Sequence, residues 1–483
     1  MIQIRPIARV LAVLLVIIGG LMFSALPFSW YYKSGDAYPI FYSGLICLLS
    51  GGILLAIPFK GDTHVKKREG YLIVTLGWLV MTTFGALPYL LSGIIPNVAD
   101  AWFETVSGMT TTGASVLTDI EATPEGILFW RSMTQWIGGM GIIVLTVAIF
   151  PLLGIGGIEL FVAEAPGPTS DKLHPRIRET AKRLWLIYVA LTGTLCLILW
   201  GAGMTFYDAI NHALTTMATG GFSTKNASMA HYDVPAIQYP IILFMFLAGV
   251  NYTVIYYGLK GRFRKVWAAD EFRAYLLIVG VLTVLVTFVV SRHTDMSFEK
   301  TFRDSLFQIV SIITTTGFVS VDYTKWADSM TLLFLVLMFV GACAGSTAGG
   351  IKIIRNLVFF KNSFLEFKRI VHPRALVPLK LNGQIIRGRI ITHIIIFLLL
   401  YLLLFVLGAI VVTGLGVDML TSIGAVATCL GNVGPGIGKV GPVDNFAWLP
   451  SEIKVILSLL MLLGRLEIFT ILVLFTPYFW KSN

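Results

Sequence analysis

The chemistry in this sequence lies in backbone carbonyls and hydroxyls more than in any acid–base pair. Four segments of similar make-up carry it: Thr110-Thr-Thr-Gly-Ala114, Thr219-Gly-Gly-Phe-Ser223, Thr314-Thr-Thr-Gly-Phe318 and Asn432-Val-Gly-Pro-Gly436. Aligned on Gly113, Gly221, Gly317 and Gly434, they recur at intervals of 108, 96 and 117 residues. In the first three copies Asp100, Asp208 or Asp304 stands 13 residues before the glycine; in the fourth, Asp418 stands 16 before it. Glycine lets the backbone turn its carbonyls toward an axis without a Cβ penalty, and threonine adds hydroxyl oxygens beside them. A ring of such carbonyls replaces the hydration shell of a large monovalent cation. The residues expected to line it are Thr111, Thr112, Gly113, Thr219, Gly220, Gly221, Thr315, Thr316, Gly317, Asn432, Val433 and Gly434. Gly220 replaces a threonine of the first and third copies, so imperfect symmetry is expected. A single Thr-Thr-Thr-Gly would say little, because both residue types are common where membrane helices touch. The fourfold recurrence is the signal.

A second constellation is Gly341-Ala-Cys-Ala-Gly-Ser-Thr-Ala-Gly-Gly350, in the middle of a long apolar stretch at about 330–361. Each glycine costs a helix ~1 kcal/mol relative to alanine, so a break is expected at mid-depth. Such a break survives only where protein or water satisfies its backbone, which places it in a pore cavity below the ring. A phosphate-binding loop would need a Gly-Lys-Ser/Thr ending, and Gly350-Ile-Lys352 lacks it. Close helix packing on small residues is the competing explanation. Arg465 falls at the centre of the last apolar stretch, where a charge costs at least ~2.5–3.5 kcal/mol. It is expected to face the pore and to bond carbonyls or hydroxyls of the glycine-rich loop, such as Ser346 and Thr347. Glu467 lies on another face of the same helix and suits it poorly as a partner. The expected gate set is Gly345, Ser346, Thr347, Gly349, Gly350 and Arg465. Arg131 falls nearer the outer end of its apolar stretch and reads as an interfacial anchor.

The elements that must position these groups follow from composition. Of 483 residues, 56% are hydrophobic and 13% charged, against roughly 25% charged in a soluble domain. That excludes a cytosolic enzyme, a secreted disulfide scaffold and a disordered chain. Ten stretches are long enough to span a bilayer: about 7–29, 38–59, 70–93, 127–153, 184–205, 237–259, 274–292, 330–361, 388–413 and 453–478. With the N-terminus inside, 26 Lys and Arg fall in inner segments and 8 in outer ones. This fixes both termini in the cytoplasm. It also accounts for the net charge of +10 without nucleic acid.

Each Thr/Gly segment follows an Asp-started stretch of about 11 residues, too short to cross the membrane and suited to a re-entrant pore helix. The aspartates Asp100, Asp208, Asp304 and Asp418 read as the N-caps of those helices. The negative helix ends then point at the ring and favour a cation. The expected fold is an all-α polytopic membrane protein. Four span–pore-helix–span repeats surround one pseudo-fourfold pore, after an extra N-terminal pair of spans. The expected divisions are 1–69 for the extra pair, then 70–183, 184–272, 273–386 and 387–483 for the repeats. No CxxC pair occurs among Cys47, Cys196, Cys343 and Cys429, so neither a zinc site nor a disulfide framework is expected. His393 is the one deep-set histidine and has no evident partner, which leaves little for a membrane enzyme. A symporter coupled to protons or sodium remains the alternative to a pore; it would want buried mid-span carboxylates, and Glu467 alone fits.

These segments resemble the four filter segments of the Trk/Ktr/HKT superfamily of potassium transporters. Gly138-Gly-Met-Gly141, the 341–350 loop and Gly464-Arg-Leu-Glu-Ile-Phe-Thr470 are similar to that family as well. The extra N-terminal pair, the length and Ala165-Pro-Gly-Pro168 resemble its bacterial TrkH/TrkG type rather than the shorter KtrB type. The resemblance covers essentially the whole chain. It implies potassium uptake at the bacterial inner membrane, an intramembrane gate at 341–350 and a homodimer with one pore per protomer. It also implies a TrkA-type cytosolic subunit that binds a nucleotide (ATP/ADP or NAD), with no cofactor bound covalently to this chain. The inner segments 154–183 and 352–389 hold 14 of the 26 inner Lys and Arg; Arg176, Arg178, Lys368 and Arg369 are the residues expected to meet that partner.

Overall fold

The computed structural model describes residues 2–59, 67–152, 177–375, 377–386 and 388–481. The segment with Ala165–Pro168 and Arg176 lies outside the described residues. The described chain is helical apart from a two-stranded hairpin, Lys380–Leu381 paired antiparallel with Gln384–Ile385. Its turn residues Asn382 and Gly383 both have positive φ, the geometry that Asn-Gly favours in a tight hairpin.

Among the described residues, six helices are long and apolar enough to cross a membrane: Ile4–Tyr32, Ala37–Ala56, Arg68–Leu91, Ala181–Gly201, Asp270–Ser291 and Gly388–Gly414. The last has a mean hydropathy of 3.3 with only 22% of that window buried, so most of its surface is left to lipid. A seventh long helix runs Glu125–Leu152. The first two spans pack closely on glycine: a Cβ on Gly19 would sit 2.7 Å from the Gly44 carbonyl, and one on Gly51 2.8 Å from that of Ala12. Small residues serve this purpose where lipid supplies no hydrophobic drive between helices.

Three of the expected spans are broken, and for the third the sequence predicts the break. Pro235–Ala248 and Tyr252–Leu259 meet at 111°, and Ser451–Arg465 and Phe469–Phe475 at 106°. The third is the longest: Asp328–Val340 ends at Gly341, whose φ is 68°, and helix resumes only at Ile353–Val371. All three breaks lie at one place in the molecule, because the Cys343 N–H donates to the Gly249 carbonyl and Arg465 donates to the Thr347 carbonyl.

Four shorter helices precede the Thr/Gly segments: Val98–Met109, Phe206–Met217, Phe298–Ile313 and Met419–Gly431. Asp418 caps the last by accepting the Thr421 N–H. The other three aspartates do not cap, which corrects the sequence reading. Asn97, Thr205 and Ser297 occupy those caps. Asp100 and Asp208 fall in the first turn, and Asp304 is seven residues into its helix. With the cap taken, two of these carboxylates turn outward to the segment beyond the glycine. Asp208 accepts from the Thr224 hydroxyl at 2.6 Å and Asp304 from the Ser320 hydroxyl at 3.2 Å, both 16 residues on. Asp100 instead pairs with Lys454 at 2.9 Å.

Candidate ion pathway

Each short helix ends in the same backbone motif. Thr111, Thr219, Thr315 and Asn432 are left-handed, with φ of 54°, 54°, 55° and 54°. The next residue donates its N–H back across the last turn: Thr112 to Ser107, Gly220 to Thr215, Thr316 to Ser311 and Val433 to Thr428, at 2.8–3.0 Å. This is the helix-ending pattern usually built on glycine or asparagine. Three β-branched threonines in its place store of order 1–3 kcal/mol each. Their conformation ends each helix there instead of letting it continue.

The glycines that follow have φ of 87°, 78°, 78° and 104°, and their packing closes the ring. A Cβ on Gly113 would overlap the Gly220 carbonyl oxygen; one on Gly221, that of Thr316; one on Gly317, that of Val433. A Cβ on Gly434 would lie 2.6 Å from the carbonyl oxygen of Thr112. Each copy thus abuts the next, and the fourth returns to the first. All twelve residues expected in the ring belong to these four segments.

Side chains brace the ring from behind, and Gln135 and His212 among them escape the sequence reading. Gln135 donates to the Gly220 carbonyl at 2.6 Å and accepts from the Phe222 N–H at 3.0 Å. It ties down the copy that lacks a threonine. Thr110 and Thr112 share a hydroxyl bond of 2.8 Å, and Thr314 and Thr316 one of 2.7 Å. Asn432 donates to the Thr112 hydroxyl and to the Met461 carbonyl, each at 3.0 Å. His212 bridges the Asp208 carbonyl at 2.7 Å and the Ser223 hydroxyl at 2.9 Å.

Arg131 is not an interfacial anchor. It is buried and pairs with the fully buried Glu104 at 2.7 Å. It donates to the Ser223 carbonyl at 3.0 Å and lies 3.5 Å over the Phe222 ring. Glu104 in turn accepts from the Val116 N–H at 2.8 Å and from the Ser115 hydroxyl. One ion pair therefore fixes the outer segments of the first two copies. Hydrogen bonds fill the remaining valences, as a buried pair requires.

The glycine-rich stretch lies directly against the base of the ring. Thr347 donates to the Met217 carbonyl at 3.1 Å, and the Thr219 hydroxyl lies 3.3 Å from that of Thr347. The Gly349 N–H donates to the Thr315 hydroxyl at 2.7 Å. A Cβ on Gly349 would press on the Gly431 carbonyl at 2.7 Å, and Gly345 and Gly350 have φ of 74° and 70°. The Ser346 hydroxyl bonds the Cys343 carbonyl at 2.6 Å, inside the stretch itself. Arg465 donates to the Thr347 carbonyl at 2.7 Å, on one arm of its fork, and to the Gly138 carbonyl at 2.7 Å on the other. The arginine joins the stretch to the first and last copies. Glu467 bonds Arg355, on the helix that follows the stretch.

The sequence also matches known proteins. Residues 38–482 match the family described as TrkH, cation transport protein. The chain is 42% identical over 483 residues to the Trk system potassium uptake protein TrkH of Escherichia coli (strain K12), covering 99% of both. It is 35% identical to the Trk system potassium uptake protein TrkG of the same strain, over 94% of this chain and 93% of that one. The crystal structure of the potassium transporter TrkH from Vibrio parahaemolyticus superposes with a TM-score of 0.89 at 38% identity, covering 99% of this chain and all of that one.

Proposed function

Because this chain belongs to the TrkH family of cation transport proteins, we propose that it is the membrane subunit of a Trk-type system that takes up potassium, and rubidium in its place, across the bacterial inner membrane. Membership of a transport family sets the enzyme reading aside. The observation that supports the proposal most is the closed ring in which four glycine segments abut, each carbonyl-rich and each too tight for a side chain. Fixed carbonyls of this kind take over the coordination of a dehydrated cation.

In this reading the ring is the selectivity filter, and the four short helices are pore helices whose carbonyl ends favour a cation. Four repeats, at 70–183, 184–272, 273–386 and 387–483, surround one pore with pseudo-fourfold symmetry. The helices at 1–69 stand outside it. Counting each broken helix as one gives ten spans, with both termini cytoplasmic. The stretch 341–350 closes the pore below the filter, with Arg465 as its latch and as a positive barrier to cations. A symporter would need a carboxylate free to change its load; Glu104 and Glu467 are held by arginines, while Glu271 is bonded by backbone N–H groups. The protein works as a homodimer and docks a TrkA-type cytosolic subunit, which brings the nucleotide.

The test is rubidium uptake into proteoliposomes with the potential clamped while pH and sodium vary. Uptake that follows the potential alone supports a pore. Uptake that needs a proton or sodium gradient supports the symporter. Unchanged ion selectivity in all four glycine-to-serine variants at 113, 221, 317 and 434 would refute the filter assignment.

A further inference from the structure

The gate stretch is gripped on its cytoplasmic side by a carboxylate that plays no part in the filter. Glu271 is the second residue of helix Asp270–Ser291. One of its oxygens, Oε1, accepts the N–H of Ala344 at 2.7 Å and that of Ile354 at 3.1 Å. These two donors flank the glycine-rich turn. Ala344 precedes Gly345, and Ile354 sits in the first turn of helix Ile353–Val371. That helix has no side-chain cap of its own, since its N-cap position is Lys352. The carboxylate supplies the cap from another element, at the end of the helix where the dipole favours an anion. Asn251 adds to the grip from the break between Ala248 and Tyr252, donating to the Ala344 carbonyl at 2.7 Å.

The neighbouring residue faces the other way. The Asp270 carboxylate accepts from Lys361 at 2.9 Å and from the Asn382 N–H at 3.1 Å, and the Asp270 N–H donates to the Asn382 side chain at 2.7 Å. Asn382 is in the hairpin turn. Leu379, Leu381 and Ile386 pack the hairpin onto Ile354 and Val358 of helix Ile353–Val371. Hairpin and helix form one cytoplasmic body, and two successive acidic residues tie that body and the gate stretch to a single span.

We infer that Glu271 is a positioning residue of the gate, holding stretch 341–350 shut by bonding its near end and the start of the following helix through one oxygen. The inference rests on the gate reading of that stretch. Arg465 pins the middle, at Thr347, and Glu271 pins the two flanks. The stretch leaves the pore only when the flanks are released, and a pull on the hairpin–helix body is what releases them.

The test uses the purified chain alone in proteoliposomes. Glu271→Ala removes both bonds and is expected to raise rubidium flux about tenfold. Glu271→Gln keeps an acceptor oxygen and stays within about threefold of the parent. Cys343 provides a readout independent of flux, since it lies in the stretch and is 1% exposed. With Cys47, Cys196 and Cys429 replaced by alanine, labelling of Cys343 by a charged thiosulfonate in native membranes reports release. Glutamine removes the same charge from beside the thiol, so labelling in the alanine variant above that in the glutamine variant reads movement. If Glu271→Ala matches Glu271→Gln in flux and labelling while Arg465→Ala raises flux, the clamp is wrong and the gate stands. If Arg465→Ala is also silent, the gate reading falls and takes the clamp with it. Should the alanine variant fail to insert, Ile354→Pro carries the test: it withdraws one donor from a first helical turn, where proline is tolerated.

Discussion

The glycine ring and the stretch beneath it are both irregular backbone at the centre of the protein, yet they are held in different ways. The ring is over-determined. Every copy ends in the same backbone motif, each glycine abuts the next copy, and Gln135, Asn432, His212 and the Arg131–Glu104 pair brace it from behind. No one bond decides its shape. The stretch at 341–350 shows no repeated motif; its bonds run singly to separate elements, to Arg465, Glu271, Asn251, the Thr315 hydroxyl, the Met217 and Gly249 carbonyls and the Tyr252 N–H. A structure held by redundant contacts keeps its geometry when one is lost. In the gate reading, a stretch held by single bonds to separate elements has a closed and an open state, and losing one bond shifts the balance between them.

That difference sorts substitutions by what they change. The largest effect belongs to Gly221→Ser and Gly317→Ser, whose new Cβ would overlap a ring carbonyl. Both are expected to abolish discrimination of rubidium over sodium, read as the ratio of the two uptake rates. Next comes Arg131→Ala, which strands the Glu104 carboxylate in a buried site. Breaking such a pair from one side costs about 3–5 kcal/mol. Thermal stability in detergent is expected to fall sharply, and Glu104→Gln added to it should recover part of the loss. An intact melting temperature in the single variant would show the pair to be dispensable.

Arg465→Ala tests the other region. Its bonds to the Thr347 and Gly138 carbonyls are charge-assisted, worth about 1.5–3 kcal/mol each, and a shift of ~1.4 kcal/mol changes a two-state gate tenfold. Uptake by the chain without any partner should rise by tenfold or more, with the rubidium-to-sodium ratio unchanged. A changed ratio would mean that the two regions are not separable. The smallest effect is expected where they meet. Thr315→Val removes the acceptor for the Gly349 N–H, a bond worth about 0.5–1.5 kcal/mol, and should raise basal flux by a few-fold. Thr315→Ser, which keeps the hydroxyl, should not.

The parts of this arrangement that repeat within the sequence could be read from it. Four Thr/Gly segments at matched spacing declare the ring, and four glycines in ten residues declare the break after Val340. The aspartate spacing was legible but misassigned. Thr205 stands three residues before Asp208 and bonds it reciprocally, through its hydroxyl at 2.8 Å and the Asp208 N–H at 3.0 Å. That is a capping-box signature, and it was there to be noticed. The bend at Gly249-Val-Asn251 also had a local signal, a glycine and an asparagine inside an apolar run, which the length criterion for a span overrode. The Arg131–Glu104 pair and the Glu271 clamp had none. Their partners are 27, 73 and 83 residues apart, and nothing short of the folded packing brings them together.

The ring is assembled from four unlike segments of one polypeptide, and this bears on how such a site can change over generations. In a ring built from identical subunits, every substitution is made in all the copies at once, so a small local cost is multiplied and most changes are lethal. Here Gly220 stands where the first and third copies carry threonine, and Gln135 bonds its carbonyl, while Asn432 stands alone in the fourth copy and reaches across to Thr112. Because the four quarters are encoded separately, a substitution in one leaves the other three as they were. The stretch at 341–350 is likewise one segment, and it touches two of the quarters, at the Met217 carbonyl and the Thr315 hydroxyl.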